Sequence, residues 1–296
     1  MKRIAITGSS GFIGRHLLTA LLTHDVEIIA VTRDAKKLSA FSGTETCATR
    51  NMCYTGLDNQ VRIVEMDIAR PASDCFAQIG CPDILIHLAW DGLPNYKSLH
   101  HFETELPKQY HFLKAMISAG LPSLLVTGTC FEYGMQSGPL SENMPTKPNN
   151  PYGFAKDVLR RQLEFLKLDK PFNLTWARLF YLYGEGQSEN SLFSQLKKSV
   201  LQGDKVFNMS FGEQLRDYLP VTDVAKQIVV LALARKDIGA INICSGKPIS
   251  VRGLVEQWLK ENDWSIALNL GYYPYPDYEP MAFWGERSFK MTEREH

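Results

Sequence analysis

The sequence predicts an α/β fold, in which a doubly wound parallel sheet is joined to a smaller, interleaved C-terminal lobe that binds substrate. Two observations predict it. Short apolar, β-branched runs alternate with amphipathic helical patterns through the first half of the chain, and a glycine-rich turn directly follows the first run. Strands that alternate with helices need crossover connections, so we expect parallel strands with helices on both faces of the sheet.

The expected elements follow from the periodicity of the apolar residues. Each predicted helix carries them at three- and four-residue spacing. Gly120, followed by Pro122, ends the second helix in the way that helices commonly stop. The strands are expected at residues 3–7, 26–32, 61–66, 83–88, 123–127, 173–179 and 240–244, and the helices at 12–22, 101–119 and 152–168.

The regular alternation breaks down at the glycine-rich loop 183–190. The later segments therefore form a second lobe, and its aromatic, proline-rich stretch 272–278 fits neither a helix nor a strand. We predict a dinucleotide-binding domain over residues 1–183 with a returning segment at about 221–246, and a substrate-binding lobe over 184–220 and 247–296.

The composition is that of a soluble globular protein. The chain has 296 residues, of which 45% are hydrophobic and 22% charged, enough for a substantial core. Lys plus Arg equals Asp plus Glu at 32 each, so no overall field favours nucleic acid or an anionic membrane. We therefore expect neither as a partner, and anionic ligands must be held by local groups.

The cysteines indicate a reducing compartment and no metal site. None of the six forms a Cys-x-x-Cys pair, and no His lies at a spacing that would complete a zinc site. The N-terminus leads directly into a strand without the apolar stretch of a secretory signal. We predict a cytoplasmic protein with reduced thiols. The cysteines are residues 47, 53, 75, 81, 130 and 244.

The glycine-rich turn has the pattern that a dinucleotide pyrophosphate requires. Gly8 permits the tight turn, Gly11 lets the phosphates approach the backbone, and Gly14 lets helix and strand pack closely. The following helix offers free N–H donors and a partial positive charge. This predicts a Rossmann-type cofactor site, to which Ser10, Phe12 and Ile13 of the same turn also belong.

The end of the second strand bears on the choice between NAD and NADP. An NAD site usually offers an acid there to the ribose 2′-hydroxyl, but this chain has Thr32 and Arg33. A guanidinium suits a 2′-phosphate. Asp34 comes too late for the ribose and could instead start a helix. We predict NADP(H) as the preferred cofactor, with NAD(H) as the alternative.

Tyr152 and Lys156 lie four residues apart in a predicted helix, so their side chains project from one face. An ammonium beside a phenol favours the ionised phenol. Unperturbed, the two groups titrate near pH ~10 and ~10.4, too high for proton exchange at neutral pH. The pair thus indicates a catalytic acid or base, against the alternative of an ordinary, solvated helix turn.

The order of motifs along the chain resembles the extended short-chain dehydrogenase/reductase family, and in particular its nucleotide-sugar-modifying branch. The likeness covers nearly the whole chain. It rests on the glycine turn and on these segments: Asp67-Ile68, His87-Leu-Ala89, Thr127-Gly-Thr-Cys-Phe-Glu-Tyr-Gly134, Tyr152-x-x-x-Lys156, Arg178-Leu-Phe-Tyr-Leu-Tyr-Gly184, Leu215-Arg-Asp-Tyr-Leu-Pro-Val-Thr-Asp-Val-Ala225 and Ile241-Asn-Ile-Cys-Ser-Gly246.

The resemblance implies a catalytic role for three of these residues. Tyr152 would exchange a proton with the sugar oxygen, and Thr129 would hydrogen-bond the same oxygen. Lys156 would bind the nicotinamide ribose and lower the pKa of Tyr152. An alternative for Thr129 is a strand-end hydroxyl that satisfies a backbone group, and His87 is more simply a core histidine.

The resemblance also implies binding roles and a homodimer through helices 101–119 and 152–168. Asp67 could instead cap a helix, and Arg216 could form a local ion pair with Asp217. Asp67 and Ile68 would line the adenine, Leu88 and Ala89 would follow the cofactor, Arg216 would bind the substrate pyrophosphate, and Asn190 would contact the substrate.

Several reactions of the family can be separated by sequence. Dehydratases carry Asp-Glu after the catalytic Thr, where this chain has Cys130 and Phe131. Enzymes that epimerise beside the ketone place Cys two residues before the motif tyrosine, but Cys130 is three before Tyr133, and no His or Lys follows Gly184 within the loop to Gln187. Cys130 is then a small packed residue.

Two reactions remain, and Arg33 favours the first. One is NADP-dependent reduction of the C4 ketone of a nucleotide-linked 4-keto-6-deoxyhexose, a step in making surface polysaccharide sugars. The other is NAD-dependent 4-epimerisation of a nucleotide sugar. A third hypothesis, of a different class, is a non-catalytic sensor that binds NADP.

Overall fold

A seven-stranded parallel sheet forms the centre of the protein. The computed structural model describes residues 1–39 and 60–288. Its strands are β1 (Lys2–Thr7), β2 (Val26–Thr32), β3 (Val61–Glu65), β4 (Ile84–His87), β5 (Ser123–Thr129), β6 (Gly138–Leu140), β7 (Asn173–Leu179), β8 (Tyr181–Tyr183), β9 (Val206–Asn208), β10 (Leu215–Pro220), β11 (Gly239–Ile243), β12 (Pro248–Ser250), β13 (Ala267–Asn269) and β14 (Phe283–Gly285).

Helices connect these strands and cover the sheet. They are α1 (Phe12–Leu21), α2 (Lys36–Ser39), α3 (Cys75–Gln78), α4 (Leu106–Ser118), α5 (Pro151–Asp169), α6 (Leu192–Gln202), α7 (Val221–Ala234) and α8 (Val251–Glu261). A wide π-helical turn, His101–Glu105, leads into α4, and a 3₁₀ turn, Cys130–Tyr133, follows β5.

The large sheet has the strand order β11-β7-β5-β4-β1-β2-β3, and all of its neighbouring strands are parallel. From β1 the chain builds outward through β2 and β3, then crosses back to β4 on the other side. This reversal opens a crevice at the carboxyl ends of β1 and β4, where ligands bind in such sheets. The doubly wound sheet is therefore confirmed, and it includes the returning strand predicted at residues 240–244.

Two apolar layers pack on the two faces of this sheet. On one face α1 and α7 contact each other and bury residues such as Leu17, Leu21 and Ile228. On the other, α4 and α5 pack together over Phe112, Leu159 and other buried side chains. The predicted amphipathic stripes of helices 12–22 and 152–168 are the buried faces of α1 and α5.

The predicted helix 101–119 is interrupted at its start. Residues 101–105 form the wide turn, and regular α-helix begins at Leu106, just before Pro107. Proline has no backbone N–H, and its ring clashes with the carbonyl of the preceding turn, so it is tolerated only near a helix start. The turn brings Glu105 to the edge of the crevice.

Three small sheets lie outside the large one, with the orders β12-β10-β8, β13-β9 and β14-β6. The last pairs the C-terminal Phe283–Gly285 with Gly138–Leu140, which lie inside the predicted first domain. The boundaries proposed at residues 183, 221 and 246 remain predictions.

The described cysteines, residues 75, 81, 130 and 244, are free thiols, and Cys47 and Cys53 lie outside the described residues. Across residues 1–39 and 60–288, the helices are all too short or too polar to cross a bilayer.

Candidate active site

The glycine turn forms a cradle that side chains would fill. Gly8 has φ +71°, and a Cβ built there would lie 2.9 Å from the backbone nitrogen of Ala89. A Cβ on Gly14 would overlap the carbonyl oxygen of Gly8. Helix α1 starts at this point without a side-chain cap on Gly11 and without an acid in its first turn. Its N–H groups are thus available to an anion such as a pyrophosphate.

A cleft of about 230 Å³ lies beside this turn, at the carboxyl ends of β1, β2 and β4. Its walls contain most of the residues predicted to bind the cofactor, which are Gly8, Ser10, Gly11, Thr32, Arg33, Asp67, Ile68, Leu88 and Ala89. The sheet brings these residues together from four separate segments of the chain.

Four other residues of the predicted cofactor set do not line this cleft. The ring of Phe12 packs edge-on against His16, at 5.7 Å between centroids, and Ile13 packs against the core. Gly14 is buried within α1, and Lys156 lies deeper. Successive helical residues point about 100° apart, so only part of a helix start can face one ligand. The cofactor-binding roles of these four residues stay predictions. For Phe12 and Ile13, the backbone would make the contact with the cofactor.

The cleft also contains residues that the sequence analysis did not assign. Trp90 and Asp91 directly follow the predicted motif His87-Leu-Ala89, so continuing that motif would have found them. Glu105, Lys108 and Gln109 come from the wide turn and α4, and no sequence pattern marked them. The full additional set is Thr7, Val31, Met66, Ala69, Trp90, Asp91, Glu105, Lys108 and Gln109.

Glu105 offers a buried acceptor inside the cleft. Its side chain is almost fully buried, and Oε1 accepts hydrogen bonds from the backbone N–H of Asp91 (3.2 Å) and from Gln109. Within the described part of the chain, Oε2 accepts none; His100 and Lys108 approach it to 3.7 and 3.9 Å. A buried carboxylate oxygen is costly to leave without a donor. The cleft therefore fits a dinucleotide, whose hydroxyl or amide groups could supply one.

Lys156 and Tyr152 lie on α5 at the inner end of the cleft. The ammonium of Lys156 donates to the carbonyl oxygen of Thr127 (2.9 Å) and lies 4.0 Å from the centre of the Trp90 indole. It is 6.0 Å from the centre of the Tyr152 ring. Burial lowers the pKa of Lys156 to about 7, although Glu132 and Glu105 oppose the shift. Lys156 can therefore gain and lose a proton near neutral pH.

Tyr152 is held as a neutral phenol in this arrangement. Burial raises its pKa well above the ordinary value, the carboxylate of Glu132 adds to the rise, and a hydrogen bond from Thr129 opposes it. A neutral phenol is a proton donor. The predicted lowering of the Tyr152 pKa by Lys156 is not found in this structure, because burial dominates and raises that pKa.

Two aromatic rings place Tyr152 between two cavities. Trp90 lines the cofactor cleft, and its ring lies 6.0 Å from that of Tyr152. Tyr96 lies 5.6 Å away on the other side and lines a second cavity of about 660 Å³. Other aromatic side chains and the predicted Asn190 also line this second cavity. Tyr152 itself is buried and is not among the residues that line either cavity, so these two rings are its connection to both.

Arg216 does not line the second cavity. Its guanidinium, 3% exposed, forms an ion pair with Glu279 (2.7 Å) and donates to the carbonyl oxygens of Leu215 and Met281. Asp217 is not its partner, because that carboxylate accepts hydrogen bonds from the backbone of Ser245, Gly246 and Gly285. To bind a substrate pyrophosphate, Arg216 would have to break its ion pair with Glu279. Glu279 itself lines the second cavity.

A buried charge network fixes Thr129. Glu132 accepts hydrogen bonds from the Thr129 backbone N–H and from the Trp176 indole, each at 2.9 Å. Its other oxygen pairs with Arg178 at 2.7 Å, and both side chains are at most 2% exposed. The Thr129 hydroxyl accepts from the backbone N–H of Phe131, so it satisfies a backbone group at the strand end, and its contact with the sugar oxygen stays a prediction. Glu132 thus positions Thr129 at the end of β5.

The simpler interpretations of Asp34 and Cys130 are confirmed, whereas Asp67 does not cap a helix. Asp67 accepts from the backbone N–H of Ala69 within a turn, and it also lines the cleft. Asp34 accepts from the N–H of Lys36 at the start of α2. Cys130 is packed in the core, where burial raises the pKa of its thiol.

His87 is a core histidine, as the sequence favoured. Its ring is fully buried, with Nδ1 2.8 Å from the Thr7 hydroxyl and Nε2 2.7 Å from the Gln109 amide oxygen. Burial, together with the charge of Lys156, lowers its pKa from 6.5 to about 3. Between pH 6.5 and about 3, His87 is therefore neutral in the folded protein but protonated in the unfolded chain.

We expect this histidine to weaken the protein in mild acid. Between pH 6.5 and about 3 the unfolded state binds the extra proton, so stability falls as pH falls, by up to about 1.4 kcal/mol per pH unit from this group. His87→Gln should show a shallower loss of unfolding free energy in urea titrations at pH 7, 6 and 5. Equal slopes for the two proteins would contradict this account.

Comparison with known proteins identifies the family. Residues 4–244 match the model of the NAD dependent epimerase/dehydratase family. The chain belongs to that family. It is 32% identical over 286 residues, 96% of this chain and 99% of the relative, to a dTDP-6-deoxy-L-talose 4-dehydrogenase (NAD(+)) from Aggregatibacter actinomycetemcomitans. A GDP-6-deoxy-D-talose 4-dehydrogenase from the same organism is 25% identical over 84% of this chain and 76% of its own.

Among solved structures, a UDP-glucose-4-epimerase from Stenotrophomonas maltophila, with bound NAD and formylated UDP-arabinopyranose, has the same fold. Its TM-score is 0.81 at 20% identity, covering 97% of this chain and 90% of the other. The resemblance to the nucleotide-sugar branch of the extended short-chain dehydrogenase/reductases is confirmed, and the protein is an NAD(P)-dependent oxidoreductase of that type. The hypothesis of a non-catalytic sensor is therefore wrong.

Proposed function

We propose that this protein reduces the C4 ketone of a nucleotide-linked 4-keto-6-deoxyhexose with NADPH, in the synthesis of surface polysaccharide sugars. One observation carries the proposal: Tyr152, with Thr129 and Lys156 beside it, lies between a dinucleotide cleft and a second cavity large enough for a sugar nucleotide. The 32% identical relative supports the position on the sugar, because its name specifies hydrogen transfer at C4 of a nucleotide-linked 6-deoxyhexose.

The bound cofactor would supply the hydride that reaches the carbonyl carbon. The protein supplies the proton and the alignment. The Tyr152 phenol donates its proton to the carbonyl oxygen as that oxygen gains charge, and the Thr129 hydroxyl holds the same oxygen in place. Ketone, hydride and proton together give the alcohol. In its protonated form Lys156, whose ammonium lies 6.0 Å from the centre of the phenol ring, favours the phenolate left behind.

The groups needed for other reactions of the family are occupied or unsuitable. Cys130 and Phe131 are buried where a dehydratase carries two acids. The neighbouring Glu132 is bound to Arg178. Because burial raises the pKa of the Cys130 thiol, it would not serve as a base beside the ketone. These features support simple hydride transfer over elimination or epimerisation next to the carbonyl.

The preference for NADP(H) rests on Thr32 and Arg33, which line the cleft where an NAD site would offer an acid. NAD(H) is the alternative, since the 32% identical relative carries NAD(+) in its name. An NAD-dependent 4-epimerase is the second candidate function, because the family includes such enzymes and because Arg33 is already paired with Asp91.

A turnover assay separates these candidates. Purified protein, given a nucleotide-linked 4-keto-6-deoxyhexose, should consume NADPH stoichiometrically and release a product two hydrogens heavier. An epimerase would instead interconvert 4-hydroxy sugars without net cofactor consumption and would retain NAD through purification. Tightly bound NAD together with no NADPH consumption would contradict the proposed reductase.

Two further expectations remain predictions. We expect a homodimer formed through α4 and α5, the second of which exposes Phe165 and Leu168 by 73% and 82%. We also expect a cytoplasmic location.

A further inference from the structure

An ion pair spans the mouth of the cofactor cleft. The two terminal nitrogens of Arg33, at the end of β2, donate to the two carboxylate oxygens of Asp91, at 2.7 and 3.0 Å. Both residues line the cleft. Asp91 occupies the bidentate face of the guanidinium, which is the face that would bind a 2′-phosphate.

Asp91 is held in this position by buried neighbours. Its backbone N–H donates to Glu105, and the preceding Trp90 is fixed by a hydrogen bond to His101 (3.1 Å) and by the ammonium of Lys156. Arg33 is the more exposed partner, with a long side chain that is 64% exposed against 49% for Asp91. A pair this exposed contributes little to stability, so a ligand can break it.

We propose that Asp91 sets the choice between NADP and NAD by competing with the 2′-phosphate for Arg33. A bound 2′-phosphate must displace the carboxylate and then lie close to an unpaired negative charge. A ribose 2′-hydroxyl is neutral and leaves the pair intact. Asp91 therefore reduces the preference for NADP over NAD that Thr32 and Arg33 give to the site. This inference rests on the dinucleotide site of the proposed function, and is independent of the sugar substrate.

The test is equilibrium binding of NADP⁺ and of NAD⁺ by calorimetry, without sugar, to the parent protein, Asp91→Asn, Arg33→Ala and the double variant. Asp91→Asn should tighten NADP⁺ binding by roughly 3- to 10-fold and change NAD⁺ binding by less than about twofold. The gain should vanish when Arg33 is also replaced. Asp34→Asn is the matched control, because Asp34 caps α2 and does not contact Arg33 through its carboxylate; its NADP⁺ to NAD⁺ ratio should equal that of the parent.

An unchanged ratio in Asp91→Asn, or a gain that persists without Arg33, would overturn this inference and leave the proposed reaction standing. Failure of every variant and of the parent to bind either dinucleotide would overturn the inference and the proposed function together. Asp91→Ala, which also removes the hydrogen-bonding group, should repeat the result of Asp91→Asn.

Discussion

Replacing Tyr152 with Phe should lower kcat by about 10²- to 10⁴-fold and leave the Kd for NADPH within about twofold. The change removes one oxygen, the proton donor, and keeps the ring that packs between Trp90 and Tyr96. Steady-state turnover of the 4-keto sugar nucleotide and titration of the cofactor, monitored by fluorescence, measure the two effects separately.

The matched control for this prediction is Tyr110→Phe. Tyr110 lies on α4, where its ring packs against the apolar layer of the sheet and beneath the ammonium of Lys114, so the same chemical change there should leave kcat and KM unaltered. Retention of more than a tenth of the parent turnover in Tyr152→Phe would assign the proton to another group and would remove Tyr152 from the mechanism.

The second large effect is expected at the buried pair of Glu132 and Arg178. Glu132→Gln keeps the shape of the side chain, but leaves the Arg178 guanidinium buried without its counter-charge. Breaking a buried pair from one side costs about 3–5 kcal/mol. Urea unfolding monitored by circular dichroism should show a loss of this size in the free energy of unfolding.

The exposed pair of Arg252 and Glu256 provides the control, since both side chains are about half exposed. Glu256→Gln should change the unfolding free energy by less than about 0.5 kcal/mol. The double variant Glu132→Gln with Arg178→Met should recover part of the loss, because no charge then stays buried. If Glu132→Gln were as stable as Glu256→Gln, the network would not hold the end of β5 as described.

Local spacing explains what the sequence could predict. The glycine turn is defined by three residues within seven positions, and the Tyr152 and Lys156 pair by one turn of helix. Both can therefore be recognised from the sequence alone. The parallel sheet can be predicted because strand and helix patterns alternate along the sequence. Pro107 marks the interruption before α4 in the sequence, but the predicted helix 101–119 runs across it.

The partners of the charged residues could not be predicted, because they come from distant segments. Arg33 meets Asp91 across 58 positions, Glu132 meets Arg178 across 46, and Arg216 meets Glu279 across 63. Sequence patterns fix which face of an element a residue occupies, but the side chain opposite is set by tertiary packing. The alternative ion pair of Arg216 was placed with its neighbour Asp217, but the structure holds that carboxylate against backbone N–H groups instead.

The most direct test of the proposed reaction traces the hydrogen that the cofactor transfers to the sugar. A nucleotide-linked 4-keto-6-deoxyhexose is incubated with the protein and with NADPH that carries deuterium at the transferable position, and the product is analysed by mass spectrometry and NMR. Hydride transfer from a cofactor in the cleft to a sugar in the second cavity predicts one deuterium, bound to C4, in a single stereoisomer. Product without deuterium at C4, or oxidation of NADPH without a new sugar, would contradict the account.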